Sequence, residues 1–408
     1  MVYTFTVNLY KYRKPKQEGI KMSLSKQMDD CIVNARNWMH KRAVTKFGED
    51  SPENRVLRRR FRINEAAELI GVSRQAIIKA EKEGRLPTPE YKDAKADKLI
   101  RAGYTLAQIE YMREVFNTQP YRPEDADAVV LAMPGGKGGC WKTSSAAHFA
   151  QWLSLKGYRV WCIDIDPQAH LSMYFGYHPE LNTTENDTVM PYMLGEKDDL
   201  TYCVKETAWP NLHITPSHLQ LQRLEREMPD ADLDYPAHQM LESGIDELRH
   251  NYDIIIIDGH PDLGIGTMNM ICASDVTLIV TSAEVNDINS TCQLMGLIRD
   301  TYSETSGLSV SHEPTTRVLP TKLGGDKSSS KQNLKDMQAF WPGLVLNNGC
   351  YYTDEVGKGQ RRMATIYEQA DSTERSSPAA WTRAIKIFDE CFKEILDDLI
   401  KPHWAEEE

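Results

Sequence analysis

Six short apolar runs, separated by stretches of mixed polarity, organise the C-terminal two-thirds of the chain. Near-continuous apolar strands of this kind are typical of a parallel sheet that helices cover on both faces. We therefore predict an α/β domain over residues 128–408, built on a parallel twisted sheet. Its predicted strands are Val129–Met133, Val160–Ile165, Ile254–Ile257, Val276–Thr281, Val318–Thr321 and Leu344–Leu346, and its last predicted helix is Pro378–Ile400.

The first 47 residues have a different pattern. Apolar and polar residues alternate near the start of Met1–Lys21, which predicts either a short strand or a disordered arm. From Ser23 to Phe47, apolar residues recur at the spacing of a helix. We predict that residues 1–47 form an arm followed by an interaction helix, which either dimerises or packs onto its own chain.

Residues 48–117 carry the pattern of an all-α winged helix-turn-helix domain. A short helix, Glu65–Ile70, ends at Gly71, and Ser73 can cap a second helix that runs to about Glu83. The second helix exposes Arg74, Gln75 and Lys79, which we predict to contact DNA bases. A small helical bundle with a solvated basic face is the alternative. Residues 118–127 contain two prolines and few apolar side chains, so we predict a linker there.

Charge supports this division. The chain has a net charge of −11, yet Glu53–Arg101 contains 13 Lys/Arg against 8 Asp/Glu. A basic segment on an acidic body is compatible with nucleic-acid binding by that segment. The eight cysteines include no C-x-x-C pair, which argues against a zinc site or a disulfide framework and fits a reducing cytoplasm. We see no apolar run of about 18 residues that could span a membrane.

The stretch Ala128–Ser145 is the strongest candidate for chemistry. A buried strand is followed by a Gly-rich loop and then by Lys142-Thr143 at a helix start, which is how a chain builds a phosphate cradle. Trp141 stands where the usual pattern has glycine, and a second lysine, Lys137, opens the loop. The predicted cradle comprises Gly136, Lys137, Gly138, Gly139, Cys140, Trp141, Lys142, Thr143 and Ser144, with the Thr143 hydroxyl placed to bind Mg²⁺. A Gly-rich turn that merely precedes a lysine is the alternative.

Carboxylates follow two other predicted strands. Asp164 and Asp166 end the second strand, and Asp258 ends the run Ile254–Ile257. Ligands of parallel sheets bind at the carboxyl ends of strands, so these side chains are expected at the phosphate loop. We predict that Asp258 holds Mg²⁺ through water.

Lys-Gly-Gly-x-x-Lys-Thr resembles the deviant Walker A box of the ParA/MinD family of dimerising ATPases. The aromatic residue before Lys142, together with the basic domain in front, is similar to the large plasmid-partition ATPases of the ParA/SopA type. In that family the front lysine, here Lys137, reaches across a dimer to the partner's nucleotide. The resemblance implies a homodimer that sandwiches two ATP molecules, uses ATP/ADP and Mg²⁺, and has Lys137, Lys142 and Asp166 as catalytic residues.

The resemblance also implies roles for other positions. By analogy Asp166 contacts Mg²⁺ and positions the attacking water, and Asp164 supports the Mg²⁺ shell. Thr321 and Lys322 lie where the family's adenine side begins. The stretch Thr353–Arg362 resembles a SopA-type segment whose basic residues, here Lys358, Arg361 and Arg362, bind DNA without sequence preference. His260 departs from the family's second switch pattern.

The implied biology is segregation of a low-copy plasmid or plasmid-like prophage. ATP-dependent DNA binding is then reset by hydrolysis that a ParB/SopB-like centromere-binding protein stimulates, and the helix-turn-helix represses the protein's own operon. The implied location is a bacterial cytoplasm, on the nucleoid. The main alternative is a nucleotide-responsive transcription regulator without a partition role. A MinD-like membrane ATPase is disfavoured because Phe388–Ile400 is acidic and precedes Glu406–Glu408. An iron-protein-like reductase lacks the cysteine spacing for a shared cluster.

Overall fold

The computed structural model describes residues 24–47, 55–92, 99–120, 122–262, 264–303, 312–324, 327–369 and 373–405. The predicted arm Met1–Lys21 and the acidic tail Glu406–Glu408 lie outside the described residues. The chain divides into two compact units, residues 1–42 and 43–408. Most of helix α1 (Leu24–Phe47) belongs to the first unit, and its described side chains, at positions 25–38 and 41, are exposed.

The second unit contains the remaining elements. A small group of helices comes first: α2 (Ile63–Leu69), α3 (Arg74–Lys82) and α4 (Leu106–Phe116). The strands are β1 (Val129–Met133), β2 (Val160–Asp164), β3 (Lys205–Glu206), β4 (Leu212–Thr215), β5 (Ile254–Asp258), β6 (Val276–Ser282), β7 (Thr315–Leu323) and β8 (Cys350–Tyr351). The other α-helices are α5 (Lys142–Lys156), α6 (His170–Tyr174), α7 (Met190–Met193), α8 (Leu224–Glu227), α9 (Met240–Asp246), α10 (Ile265–Cys272), α11 (Val285–Thr301), α12 (Lys327–Phe340), α13 (Asp354–Gln360) and α14 (Pro378–Glu394).

The strands of the described residues form one sheet in the order β3-β4-β2-β5-β1-β6-β7-β8. Every pair is parallel except the antiparallel pair of β3 and β4 at one edge. Strands β1, β2, β5 and β6 are buried at every position, because helices cover both of their faces. This architecture confirms the predicted α/β class.

Alternation along β1 shows how the two faces are used. Leu131 and Met133 pack into a core with α5 and α14, where Phe149 and Phe392 meet. Val130 packs on the opposite face, in a core built with α7, α9 and α10. A third cluster lies under α11 and α12, beside β6 and β7. The phosphate-loop strand therefore sits in the middle of the molecule.

One of the predicted strands was wrong. Leu344–Leu346 is not a strand, because only one bridge, between Val318 and Val345, joins it to the sheet. The next backbone N–H groups, at Asn347 and Asn348, donate to the Glu394 carboxylate at 2.7 Å each and so leave the sheet. The strand that pairs with β7 at this edge of the sheet is β8. The predicted last helix, Pro378–Ile400, forms: it is α-helical to Glu394 and continues as a π-helical turn over Ile395–Ile400.

Helices α2, α3 and α4 pack against the sheet domain through a buried arginine. Arg113 of α4 donates to the carbonyl of Leu69 in α2 at 3.1 Å and to the carbonyl of Leu155 in α5. Gly157 ends α5 with φ +97°, and a Cβ there would stand 2.8 Å from Arg113 Nε. Glycine is therefore needed for this close approach. The contact joins the helical group to the end of the helix that follows the phosphate loop.

The predicted second helix of this group forms with the predicted cap. The Ser73 hydroxyl accepts a hydrogen bond from the backbone N–H of Ala76 at 3.1 Å, and α3 begins at the next residue after Ser73. Tyr91 and Arg101 form an antiparallel bridge, and Arg101 donates to both oxygens of Glu81 in α3, at 2.7 and 2.8 Å. This ion pair fixes the two-stranded segment against α3. Residues 93–98 between its arms lie outside the described residues.

Candidate functional site

The loop between β1 and α5 lines a cavity of about 580 Å³ at the carboxyl ends of the strands. Lys137, Gly138, Gly139, Cys140, Trp141, Lys142, Thr143 and Ser144 all line it, together with Asp166 and Lys322. Of the predicted cradle, Gly136 is the exception. A Cβ at Gly136 would stand 2.5 Å from the backbone oxygen of Ser290, so this glycine lets the loop pack against α11.

Lys142 starts α5 and points into the carboxylates behind the loop. Its Nζ lies 2.6 Å from Asp258 Oδ1 and also donates to the carbonyl of Gly259. Burial is the largest single influence on the pKa of Lys142 and lowers it, but the charge and hydrogen bond of Asp258, together with the nearby Asp166 charge, outweigh burial and hold the pKa above its usual value. A Cβ at Gly135 would stand 3.0 Å from the Lys142 side chain, so glycine leaves room for the lysine beside the loop. The lysine is therefore held charged inside the cavity.

Lys137, at the front of the loop, has a different partner. Its Nζ lies 2.5 Å from Asp287 Oδ1 in the first turn of α11, and its side chain is 46% exposed. Asp287 is itself held by the Ser282 hydroxyl, which donates to Oδ2 at 2.5 Å. In this single chain, therefore, the front lysine contacts a carboxylate of its own chain. Sequence reasoning missed Asp287, which lies past the end of β6 in the first turn of α11, where no apolar run ends at it.

Two carboxylates, Asp164 at the end of β2 and Asp166 just after it, have different surroundings. Asp164 is fully buried and accepts hydrogen bonds from the backbone N–H and hydroxyl of Ser172, at 2.8 and 2.7 Å, and from the Asp166 N–H at 3.1 Å. Burial raises its pKa, and the neighbouring Asp258 raises it further. Asp166 lines the cavity, and its Oδ1 accepts from the N–H of Gln168 at 2.9 Å. Asp164 thus shapes the turn that presents Asp166 to the cavity.

The oxygen atoms of Asp258, Thr143 and Asp166 fit a magnesium ion that takes its remaining ligands from a bound phosphate. Asp258 Oδ2 is buried without a hydrogen-bond partner among the described atoms. Burial raises the pKa of Asp258, while Lys142 opposes that shift. Thr143 and Asp166 line the cavity, and Asp258 is buried behind it, within reach of Lys142. Within the described ranges no group of three His, Cys, Asp or Glu side chains is arranged to hold a metal by itself. Hard cations such as Mg²⁺ commonly bind through one or two carboxylates plus substrate phosphates.

Two residues predicted for the adenine side lie at the end of β7. The Thr321 hydroxyl donates to the carbonyl of Cys140 at 2.6 Å, so it holds the phosphate loop rather than facing the cavity. Lys322 lines the cavity and has a left-handed backbone, with φ +53°. His260 also lines the cavity, and its Nδ1 lies 3.1 Å from Asp262 Oδ2.

The sequence analysis did not anticipate a polar cluster on the Ser144 side of the cavity. Gln360 of α13 donates to the Ser144 hydroxyl at 2.6 Å, and the Tyr174 hydroxyl lies 3.2 Å from the same oxygen. The carbonyls of Tyr174 and Met363 both accept hydrogen bonds from Arg55, which precedes α2. Ser144 and Gln360 are more than 200 residues apart, so no local pattern could have joined them.

The predicted DNA-binding residues lie on two helices or just beyond them. Arg74, Gln75 and Lys79 are exposed on α3. Lys358 lies in the last turn of α13, and Arg361 and Arg362 follow it. Arg362 donates to the carbonyl of Thr373 at 3.1 Å and lies 3.9 Å from Glu374, so its charge is partly neutralised. Over the described part of the chain, no helix combines the length and apolar character needed to cross a membrane.

Comparison with solved structures defines the class of fold. A chain described as a partition protein covers 89% of this chain and 98% of its own length, with a TM-score of 0.60 at 17% identity. An ATP complex of McdA from Cyanothece covers 66% of this chain and 97% of its own, with a TM-score of 0.54 at 18% identity. Both likenesses show the fold, and the family described as AAA domain matches residues 128–308. The molecule has the fold of the phosphate-loop partition ATPases.

Sequence relatives identify the family. SopA of Escherichia coli (strain K12) is 44% identical over 390 residues, which is 94% of this chain and 99% of SopA. A putative replication protein A of Sinorhizobium fredii is 27% identical over 92% of this chain and 95% of its own length. The chain belongs to the ParA/SopA family of plasmid-partition ATPases. The predicted resemblance is thereby confirmed.

Proposed function

We propose that this chain is an ATP-driven DNA-partition switch that also represses its own operon. The observation that carries the proposal is the arrangement of the phosphate loop. Lys142 is buried against Asp258, and Lys137 is half-exposed at the loop's front. This arrangement occurs in a chain that is 44% identical to SopA over nearly its whole length.

Four residues in or directly behind the cavity bind the phosphates and the metal in this proposal. Lys142 turns from Asp258 to the β- and γ-phosphates of ATP, so that phosphate charge replaces the carboxylate as its partner. Thr143, Asp166 and Asp258 hold Mg²⁺, which neutralises phosphate charge when it is bound. Asp166 also positions the attacking water, because it is a carboxylate that lines the cavity beside the phosphate loop.

Lys137 completes the site in a homodimer. It is the more exposed of the two lysines, and its ion pair with Asp287 can be exchanged for the phosphates of a partner's nucleotide. Such a lysine supplies positive charge from across an interface, as an arginine finger does. ATP binding and dimerisation are then linked, because the nucleotide contributes to the interface.

DNA binding is proposed for two separate surfaces. Arg74, Gln75 and Lys79 on α3 are exposed for an operator, whereas Lys358, Arg361 and Arg362 lie near the cavity and contact phosphates of any sequence. Gln360 links the second surface to the loop, because it lies on α13 and binds Ser144. A ParB/SopB-like centromere-binding protein stimulates hydrolysis and resets the switch. The protein acts in the bacterial cytoplasm, on the nucleoid.

The direct test is fluorescence-anisotropy binding to a random-sequence duplex with ATP–Mg²⁺, ADP–Mg²⁺ or no nucleotide. The proposal expects binding that requires ATP and falls steeply with salt, since phosphate contacts release counterions. Equal binding in all three states would contradict the partition switch. The nucleotide-responsive transcription regulator would then be the better interpretation.

Paired variants separate the two surfaces. Arg74→Ala should weaken binding to the operator and leave ATP-dependent binding to random DNA unchanged. Lys358→Ala should do the reverse and lower the salt dependence. If both variants lose both activities, the surfaces are not independent.

A further inference from the structure

Trp141 has a backbone conformation that tryptophan rarely adopts. Its φ of +67° and ψ of +20° lie in the left-handed region, which favours glycine. The residue stands directly before Lys142, where the usual phosphate loop has glycine. A strained residue persists only where its surroundings hold it, and such residues concentrate at ligand sites. The indole therefore calls for a functional explanation.

The Trp141 ring is supported from outside the cavity. It stacks on the ring of Tyr352, with centroids 5.8 Å apart and planes inclined by 21°. Trp141 lines the cavity. Tyr352 follows β8, and the backbone N–H of Tyr352 donates to the carbonyl of Leu323 in β7 at 2.6 Å. Tyr352 is thus anchored to the sheet and fixes the position of the indole.

The order of the strands indicates which part of a bound nucleotide would lie beside Trp141. Strands β2 and β5, which carry Asp164 and Asp258, lie on one side of β1. Strands β7 and β8, which lead to Lys322 and Tyr352, lie on the other side of β1, beyond β6. The cavity extends between these sides, from Asp166 to Lys322 and Trp141. A metal and the terminal phosphate belong with the carboxylates, so the nucleoside belongs at the Trp141 end.

We propose that the Trp141 indole is a platform on which the purine base of the nucleotide stacks. Tyr352 is the positioning residue that holds this platform. The inference rests on the proposed nucleotide-binding function and adds the residue that recognises the base. A purine ring has a larger π-face than a pyrimidine, so the platform favours ATP and GTP over CTP and UTP.

The test compares ATP–Mg²⁺ with tripolyphosphate–Mg²⁺ by calorimetry, since tripolyphosphate has the phosphates without a base. Trp141→Gly removes the ring and supplies the residue that this backbone favours. We expect about a tenfold loss of ATP affinity, which corresponds to about 1.4 kcal/mol, and less than a twofold change for tripolyphosphate. Trp141→Phe, which keeps a stacking ring, should recover most of the ATP affinity.

Tyr352 provides an independent check with a matched control. Tyr352→Ala should weaken ATP binding about threefold, Tyr352→Phe should restore it, and Tyr351→Ala in the neighbouring strand should have no effect. In the unaltered protein, ATP should change the tryptophan emission, and Trp141→Phe should remove that change.

The outcomes distinguish the platform from the proposed function. If tripolyphosphate and ATP both bind the unaltered protein but Trp141→Gly weakens the binding of neither, the proposed stacking on Trp141 is wrong and the proposed phosphate site is retained. If Trp141→Gly weakens both ligands equally, the residue shapes the loop and does not contact the base. If the unaltered protein binds neither ligand, the proposed function fails and the platform fails with it.

Discussion

The two ends of the phosphate loop place lysines in opposite environments. Lys142 is 6% exposed and pairs with Asp258, which is completely buried. Lys137 is 46% exposed and pairs with Asp287, which is 10% exposed. Both ion pairs join the loop to a carboxylate more than 100 residues away, at or just after the end of a strand. The two ion pairs differ in how far solvent reaches them.

That difference predicts different behaviour. Removing one partner of a buried pair leaves an uncompensated charge and costs about 3–5 kcal/mol. A pair that solvent reaches contributes about 1 kcal/mol or less, because water and salt screen it. The inner end of the loop is therefore fixed unless a ligand replaces the carboxylate. The front end is free to exchange its partner.

Lys142→Ala should have the largest effect. The variant leaves Asp258 buried without its cation, so we expect a loss of about 3–5 kcal/mol in the free energy of unfolding and no measurable binding of ATP–Mg²⁺. Denaturant unfolding and calorimetry measure these two quantities. Nucleotide binding close to that of the unaltered protein would contradict the role given to Lys142.

The pH dependence of the same variant tests the cause. Burial raises the pKa of Asp258, and Lys142 opposes this shift. Without the lysine, the folded-state pKa rises further above the unfolded value, so folding takes up a proton. The resulting loss of stability is small at a pH near the unfolded-state pKa of Asp258. It grows as the pH rises from there to the folded-state pKa and is then complete. The deficit should therefore be larger at pH 8 than at pH 5, measured without Mg²⁺, and a constant deficit would point to lost packing instead.

Lys137→Ala is the matched control and should affect a different property. The free energy of unfolding should change by about 1 kcal/mol or less, and ATP affinity by less than about threefold, or 0.7 kcal/mol. Hydrolysis should fall by about 1,000-fold or more, as for loss of a charge supplied across an interface. Denaturant unfolding, calorimetry and steady-state turnover on one preparation measure these three quantities. Normal turnover would show that this lysine does not act on phosphate.

The contrast also shows what sequence can predict. The continuous apolar runs of β1, β2, β5 and β6 identify strands covered on both faces, and the structure confirms them. Sequence fails at the edges of the sheet. Strands β3 and β8 have two residues each, too few to show a period, and Leu344–Leu346 is apolar without being a strand. Backbone pairing there depends on distant groups such as the Glu394 carboxylate.

The candidate site likewise has a part that the sequence predicts and a part that it does not. The loop from Lys137 to Ser144 is contiguous, so its residue types suffice to suggest a phosphate cradle. Its partners come from elsewhere in the fold. Asp258 could be predicted because it ends an apolar run, but Asp287 stands in the polar first turn of α11 without such a signal. The support of Trp141 by Tyr352 likewise depends on the sheet, which brings together residues more than 200 positions apart.

Asp287→Asn should have the smallest effect and tests the front end directly. The amide can still accept a hydrogen bond from Ser282, but it no longer pairs with the Lys137 charge. Lys137 is then released for a partner's nucleotide. Each exposed pair is worth about 1 kcal/mol at most, and a homodimer exchanges two of them. ATP-dependent dimers should therefore form at up to about thirtyfold lower protein concentration. Sedimentation velocity with ATP–Mg²⁺ measures this shift.

Asp300→Asn is the control for that shift, because Asp300 lies on the same helix and pairs with the exposed Arg299. It should leave dimer formation unchanged. If both variants shift the dimer equally, the cause is the net charge of α11. If neither does, the contact between Lys137 and Asp287 does not compete with dimerisation. A shift confined to Asp287→Asn would show that the exposed end of the loop exchanges an internal carboxylate for a phosphate, whereas the buried end makes that exchange only when nucleotide enters the cavity.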